Sequence, residues 1–336
     1  MGIQYSITPL QTMPDVVCLG EALIDFIPLE SGVSLAEVSA FKKAPGGAPA
    51  NVAAGLSKLG NPSAFVGKVG DDPFGRFLAK TFADNGVDTS RMLFDRNTRT
   101  GLAFVSLTAE GVPEFMFYRN PSADMLLTAE ELDAEFIRSA RAFHYGSITL
   151  VCEPSKSATE AAIRHAAEGG LLISYDPNLR KPLWPSLERA KEQMLAAMAY
   201  PHVVKVSEEE LEFLTGTSNL GEGARRLMAA YPNIALAAVT LGAQGCYFRT
   251  ARAEGEVPAF SVQVVDTTGA GDGFVAGMLS CLLACVSEPE EIHSLDEEAL
   301  TRAFRFANAV AGATTTKRGA ISALPTRAEA EELLKS

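Results

Sequence analysis

The run Asp266-Thr267-Thr268-Gly269-Ala270-Gly271-Asp272-Gly273-Phe274-Val275-Ala276-Gly277 joins a glycine turn, a carboxylate and the start of an apolar segment. Gly269 and Gly271 bracket a small alanine, so the backbone can turn tightly with its N–H groups exposed. The apolar run from Phe274 to Val286 predicts a helix, which puts the turn at a helix N-terminus. Unpaired N–H donors and the positive end of the helix dipole gather there and attract phosphate. Asp272, next to such a phosphate, is suited to take a proton from a hydroxyl that attacks the phosphorus. An Asp in a first helical turn can equally be a cap or a dipole partner, so the motif alone leaves both readings open. The chain has no Gly-x-x-x-x-Gly-Lys-Ser/Thr run, which disfavours a P-loop kinase.

A second glycine turn, Ala44-Pro45-Gly46-Gly47-Ala48-Pro49-Ala50-Asn51-Val52-Ala53-Ala54-Gly55, also leads into a helical pattern. Asn51 lies among small apolar residues, where an amide is unfavourable without a partner. Its donors and acceptor suit the hydroxyls of a sugar, and suit a nearby loop as well. Asp176, Asn178 and Arg180 alternate just after the strand-like run Leu171–Tyr175, and period-2 spacing predicts that they share a face. Arg180 is the candidate cation for steadying a transferring phosphoryl group.

The elements that must position these residues alternate along the chain. Val16–Leu19, Ala64–Val69, Ala142–Tyr145, Leu171–Tyr175, Val203–Val206 and Leu236–Val239 read as strands buried on both faces. Helical stretches lie between most of them, one opening with the capping box Ser207-Glu208-Glu209-Glu210. The alternation predicts an α/β fold: three layers around a mostly parallel central sheet. The stretches 34–43 and 100–118 break the pattern and read as strands of a small separate sheet, the second containing a hairpin at Ala109–Val112. Residues 1–13 read as a tail and 14–334 as a single domain.

The chain has 336 residues, 47% of them hydrophobic and 21% charged, enough apolar material for one large core. No apolar run approaches the length of a membrane span, and the first dozen residues lack the pattern of a secretory signal. A net charge of −12 argues against nucleic-acid or anionic-membrane partners, although a local cluster of Arg and backbone N–H groups can still bind ATP. Cys18, Cys152, Cys246, Cys281 and Cys285 are scattered without Cys-x-x-Cys spacing and read as buried thiols of a cytoplasmic protein. His144, His165, His202 and His293 have no metal-ligand spacing and read as structural or surface residues.

The two glycine motifs, in this order, resemble the paired signatures of the PfkB (ribokinase-like) carbohydrate kinases, and the resemblance runs from about Asp15 to Leu334. Gly20-Glu21-Ala22-Leu23-Ile24-Asp25-Phe26, the stretch Glu114 to Asp124, and Asp176-Pro177-Asn178-Leu179-Arg180 are similar to the plant-type fructokinase branch. The resemblance implies ATP-dependent phosphorylation of fructose, with Asp272 as base and the Gly269–Asp272 turn, Ala270 and Gly271 included, as anion hole. It implies that Asp25, Gly46, Gly47 and Asn51 close around the sugar, and that Phe115, Phe117 and Arg119 approach it from a small β-sheet lid, which is also a possible homodimer contact. Asp176 and Asn178 would face the same pocket. On the nucleotide side it implies Lys205, Ser207, Glu210, Thr240, Gly242, Gly245 and Asn308. Glu210 would act on Mg2+ through water, where Ser207 replaces the Asn frequent in relatives. A K+ ion would be held by Asp266, Thr268, Thr314, Lys317, Gly319 and Ala323. The same resemblance leaves a ribokinase, a 2-keto-3-deoxygluconate kinase, a nucleoside kinase and a catalytically silent relative as competing readings.

Overall fold

Short runs of β-branched and aliphatic residues form most of the strands: Val16–Leu19 (β1), Leu23–Pro28 (β2), Phe41–Gly46 (β3), Ser63–Gly70 (β4), Val87–Asp88 (β5), Met92–Asp95 (β6), Gly101–Leu107 (β7), Pro113–Tyr118 (β8), Ala142–Tyr145 (β9), Leu172–Tyr175 (β10), Val203–Ser207 (β11), Leu236–Thr240 (β12), Cys246–Arg249 (β13) and Glu254–Val257 (β14). They are seen in a computed structural model that describes residues 13–30, 32–107 and 113–335, with 106, 107 and 113–115 as backbone only.

Ten strands make one sheet in the order β14-β13-β12-β11-β10-β9-β1-β4-β5, with β6 also paired to β4. The pairs from β4 through β1, β9, β10 and β11 to β12 are parallel, and only β13 and β14 add antiparallel edges. Each central strand is apolar on both faces, and alternate residues supply two separate cores. Val16, Cys18, Ala142, Leu172 and Val203 face one core, which includes the helices Ala48–Lys58, Ala270–Cys285 and Glu297–Thr315. Val17, Leu19, Phe143, Ile173 and Val204 face the other, under the helices Ser155–Glu168, Glu208–Thr215 and Leu220–Ala230. Burial of each large side chain, such as Leu56 or Phe143, contributes about 1.5–3 kcal/mol. The three-layer α/β architecture expected from the alternation is the one observed.

The remaining strands form a second sheet, β3-β2-β7-β8. Phe26 stacks on Phe104 at 4.7 Å between centroids and meets Phe74 of the helix Pro73–Asp84 edge-on at 5.9 Å, which anchors this sheet to the main body. Registers Asp25↔Ala44, Asp25↔Ala103 and Ala103↔Phe117 put Asp25 and Phe117 on one face, opposite the aromatic cluster. The strand expected at 34–43 begins only at Phe41. Before it, Ser34 bonds Glu37, and Ser39 N reaches Glu30 Oε1 at 2.6 Å, so side chains take the place of a ladder. The expected hairpin turn at 109–112 lies outside the described residues.

Among the described residues, no helix is long and apolar enough to cross a membrane. All five cysteines are free; Cys18 and Cys246 are buried as expected, Cys152 and Cys281 are half-buried, and Cys285 is exposed.

Candidate active site

Strand ends on the carboxyl edge of the central sheet bring the candidate residues together, as open α/β sheets do. The helix Ala270–Cys285 starts from Gly269 at φ 79°, a left-handed conformation that favours glycine. Asp272 falls in its first turn and is buried. Ala270 N already turns back to Thr267 O at 3.2 Å. The Gly271 and Asp272 amides, next in the turn, are the donors left to face a ligand.

Asn51 approaches from the helix Ala48–Lys58 and donates from Nδ2 to Asp272 Oδ2 at 2.7 Å. The two glycine motifs, far apart in the chain, are thus joined side chain to side chain. Asn51 Oδ1 is buried with no partner among the described residues, an acceptor that suits a hydroxyl donor. Lys205, in the middle of β11, reaches the same cluster. Its Nζ donates to Asp176 Oδ2 at 3.0 Å and lies 3.4 Å from where a β-carbon on Gly271 would sit. Asp176 Oδ1 is a second buried acceptor with no partner among the described residues.

Burial acts on all these carboxyls. It pushes Asp25 up to about 7, against the pull of Arg180, while the neighbouring Asp272 adds to the rise. It lifts Asp272 as well, opposed by the Asn51 bond, Arg180 and Lys205. Asp176 rises to about 6 by burial, with Lys205 opposing. Burial works against the Lys205 ammonium, but Asp176 and Glu210 outweigh it and hold the pKa above its usual value. Arg180 thus favours the charged forms of both Asp25 and Asp272. Gly46 leaves room for the Asp25 carboxylate, which a β-carbon there would strike.

The alternation predicted for Asp176, Asn178 and Arg180 does not persist. The strand stops at Tyr175, and Asn178 adopts φ 48°. The chain turns, Asn178 Oδ1 accepts from Arg180 at 2.6 Å, and Leu179 N is held by Glu210 Oε1 at 2.6 Å. Glu210 also completes the capping box, accepting from Ser207 N at 2.8 Å. Its two oxygens are thus both engaged, and the helix-capping alternative for Ser207 and Glu210 is what the geometry contains. A cavity of about 320 Å³ opens here, lined by Arg180, Lys205, Ser207 and Glu210 among others. Among the described residues, no group of three His, Cys, Asp or Glu side chains could hold a metal ion.

Other candidates lie apart. Arg119 donates to Asp124 from two nitrogens and is 7% exposed, so its guanidinium is turned to an ion pair rather than to the Asp25–Asp272 cluster. Asn308 Nδ2 bonds Val257 O at 2.9 Å and Pro258 O at 3.2 Å. Thr240, Gly242 and Gly245 form the turn after β12, with Gly242 at φ 58° and Gly245 at φ 108°. Phe117 is half-buried on β8, and the Phe115 side chain lies outside the described residues. The loop around Asp266 and the 314–323 segment are stitched together: Gly319 N donates to Asp266 Oδ2 at 2.8 Å, and Val265 N to Thr315 O at 2.8 Å. Residue types alone gave no role to Glu21, which accepts from Ala48 N at 2.8 Å. Its one signal was a carboxylate set inside the apolar run Cys18–Ile24.

Residues 13–327 match the pfkB family carbohydrate kinases, and the chain belongs to that family. It is a sugar kinase by this membership. Fructokinase-1 of Zea mays is 54% identical over 321 residues, 95% of this chain and 97% of that protein. The crystal structure of a fructokinase from Xylella fastidiosa with bound ATP is 35% identical, with a TM-score of 0.87 over 95% of this chain and 98% of its own. A double-mutant fructokinase from Vibrio cholerae O395, in a fructose-, ADP- and potassium-bound form, is 37% identical with a TM-score of 0.83 over 96% and 98%.

Proposed function

We propose that the protein transfers the γ-phosphoryl group of MgATP to the 6-hydroxyl of D-fructose, giving fructose 6-phosphate and ADP. The observation that carries this is Asp272: a buried carboxylate in a helix N-terminal turn, bonded to Asn51 on one oxygen. Its other oxygen takes the proton of the sugar hydroxyl. The hydroxyl oxygen bonds to the γ-phosphorus as the bond from that phosphorus to the β–γ bridging oxygen breaks. The N–H groups of Gly271 and Asp272, with Lys205 and Arg180, stabilise the charge that develops. Asp25 and Asn51 Oδ1 accept from sugar hydroxyls. The fructokinases similar along nearly the whole chain support fructose as the acceptor.

The nucleotide enters over the cavity beside Lys205, with its purine toward the Thr240–Gly245 turn and the Asn308 helix. Glu210 has both oxygens on backbone N–H groups, so it would act on the Mg2+ of MgATP only through water. A monovalent cation, K+, would be held by carbonyls of Asp266, Thr268, Thr314, Lys317, Gly319 and Ala323. Burial opposes charge on Asp266, but bonds from Thr268 and Gly319 win and hold its carboxyl below the usual range, so negative charge already sits at this loop. When bound, such an ion stiffens the loop that presents the anion-hole amides. The second sheet is the lid: Asp25 and Phe117 share a face of it. Exposed Met116 and Tyr118 on its outer strand fit contact with a second copy. Free thiols fit a cytoplasmic location.

The test is ADP release with fructose, ribose, glucose, 2-keto-3-deoxygluconate and adenosine, with the phosphorylated carbon located by NMR. Highest kcat/KM for fructose and phosphate on C6 are expected. Preference for any other acceptor overturns the substrate, and phosphate on C1 overturns the geometry assigned to the hydroxyl.

A further inference from the structure

The helix that carries Asn51 opens on Gly47, which has no side chain to close its first turn. Glu21 supplies the cap from outside the helix, its Oε1 accepting from Ala48 N at 2.8 Å. Glu21 is only 2% exposed, and Gly47 folds over it so closely at φ 118° that a β-carbon would strike the Glu21 carbonyl oxygen. Beside it is a buried ion pair. Arg119 donates from Nε at 3.0 Å, and from a second guanidinium nitrogen, to Asp124 Oδ2, while Ser122 Oγ donates to Asp124 Oδ1 at 2.5 Å. Burial pushes the Glu21 carboxyl up to about 7; backbone N–H groups and then Arg119 pull against it, and Asp124 adds to the rise.

This cluster sits where the two sheets exchange chain. Glu21 fills the step from β1 of the central sheet to β2 of the second. Arg119 directly follows β8, where the chain leaves the second sheet. Gly101, which opens β7, would place a β-carbon 3.2 Å from both Arg119 Cγ and Asp124 Oδ1. Three crossings between the sheets thus converge on one set of buried charges, and one hydrogen bond connects that set to the Asn51 helix.

We propose that Glu21 is a positioning residue for the sugar side of the site: next to Arg119, it holds the first turn of the Ala48–Lys58 helix to the junction of the two sheets and so fixes Asn51 against Asp272. The proposal rests on the reading that Asn51 faces the sugar. Arg119 acts in it through Glu21, without touching the substrate. Because the junction also sets the root of the second sheet, the same contact couples the sheet's seat to Asn51.

The experiment is steady-state kinetics on the full chain, with KM for sugar and for ATP measured separately, for Glu21→Ala, Glu21→Gln, Asn51→Ala and both double variants. Glu21→Ala is expected to raise KM for fructose about tenfold while KM for ATP stays within about twofold. Glu21→Gln keeps an acceptor for Ala48 N and should recover most of that loss. In the Asn51→Ala background either change should add less than about twofold, since Glu21 acts through Asn51. Penalties that multiply in full in the doubles overturn the proposal, as do equal rises in both KM values. If Glu21→Ala does not fold, the Glu21→Gln pair of measurements decides by the same criterion. If wild type turns over another sugar in preference to fructose, the substrate assignment fails, and the same variants read the positioning with that sugar.

Discussion

Asp25 carries two opposite demands. In the proposed function its carboxylate accepts from sugar hydroxyls, yet burial holds its pKa at about 7, far above that of an unfolded Asp. The folded state therefore favours the protonated form. The sign follows: this preference stabilises the fold in full below the ordinary Asp pKa of about 4 and is lost progressively as pH rises from there through about 7. Asp25→Asn should raise Tm at pH 8 by about 2 °C or more and have less effect at pH 5. Thermal unfolding at both pH values checks it, and an equal change at both contradicts the burial account. The same group predicts that wild-type kcat/KM for sugar falls as pH drops below about 7, a limb that should be seen in pH-rate profiles. Asp272 shifts in the same direction, so the limb belongs to the coupled carboxyls rather than to one.

Turns and helix starts set the site at the next scale up. Gly269 has φ 79°, and a β-carbon there would also lie 2.9 Å from Ala320 Cα. Gly269→Ala should cost about 1–3 kcal/mol of stability and raise KM for ATP more than KM for sugar, because it tilts the amides of the anion hole. Denaturant unfolding and kinetics together check this; an unchanged KM for ATP contradicts the placement of the phosphate. These glycine turns were legible from residue types, since few backbones but glycine's reach such conformations and the apolar run behind each marks a helix. The central strands were legible for a related reason: strands buried on both faces are largely apolar, as Val16–Leu19 and Leu236–Val239 are throughout. What failed depended on side-chain partners that a periodic pattern does not show. Ser34–Lys43 alternates like a strand, yet Glu30 and Glu37 satisfy its serines, so the ladder starts only at Phe41. Asp176, Asn178 and Arg180 alternate too, but Asn178 turns left-handed as Glu210 captures Leu179 N. Arg119 was expected to approach the sugar because residue types alone do not show that Asp124, five residues on, folds back onto it.

Over the whole molecule, two sheets meet at one cluster, Asp25 coming from the second sheet and Asp272 from the layer packed on the first. The proposal that the second sheet is a lid over the sugar predicts a lopsided defect when the face shared by Asp25 and Phe117 is altered. Replacing Phe115 and Phe117 together by Ser should raise KM for fructose about tenfold or more and KM for ATP far less. Equal effects on both substrates contradict the lid and point to general loss of folding. That the fold brings Asn51 onto Asp272 at 2.7 Å could not be read from either motif alone, since each is a local pattern and the contact is made by helix packing. The central claim is that this Asp is the base for phosphoryl transfer. Its most direct test is kcat for ADP release with fructose by wild type and Asp272→Asn, an exchange that keeps the shape and a partner for Asn51. The account predicts a loss of about 10²–10⁴ in kcat with fructose affinity by calorimetry nearly unchanged; a variant that keeps more than about a tenth of wild-type kcat contradicts it.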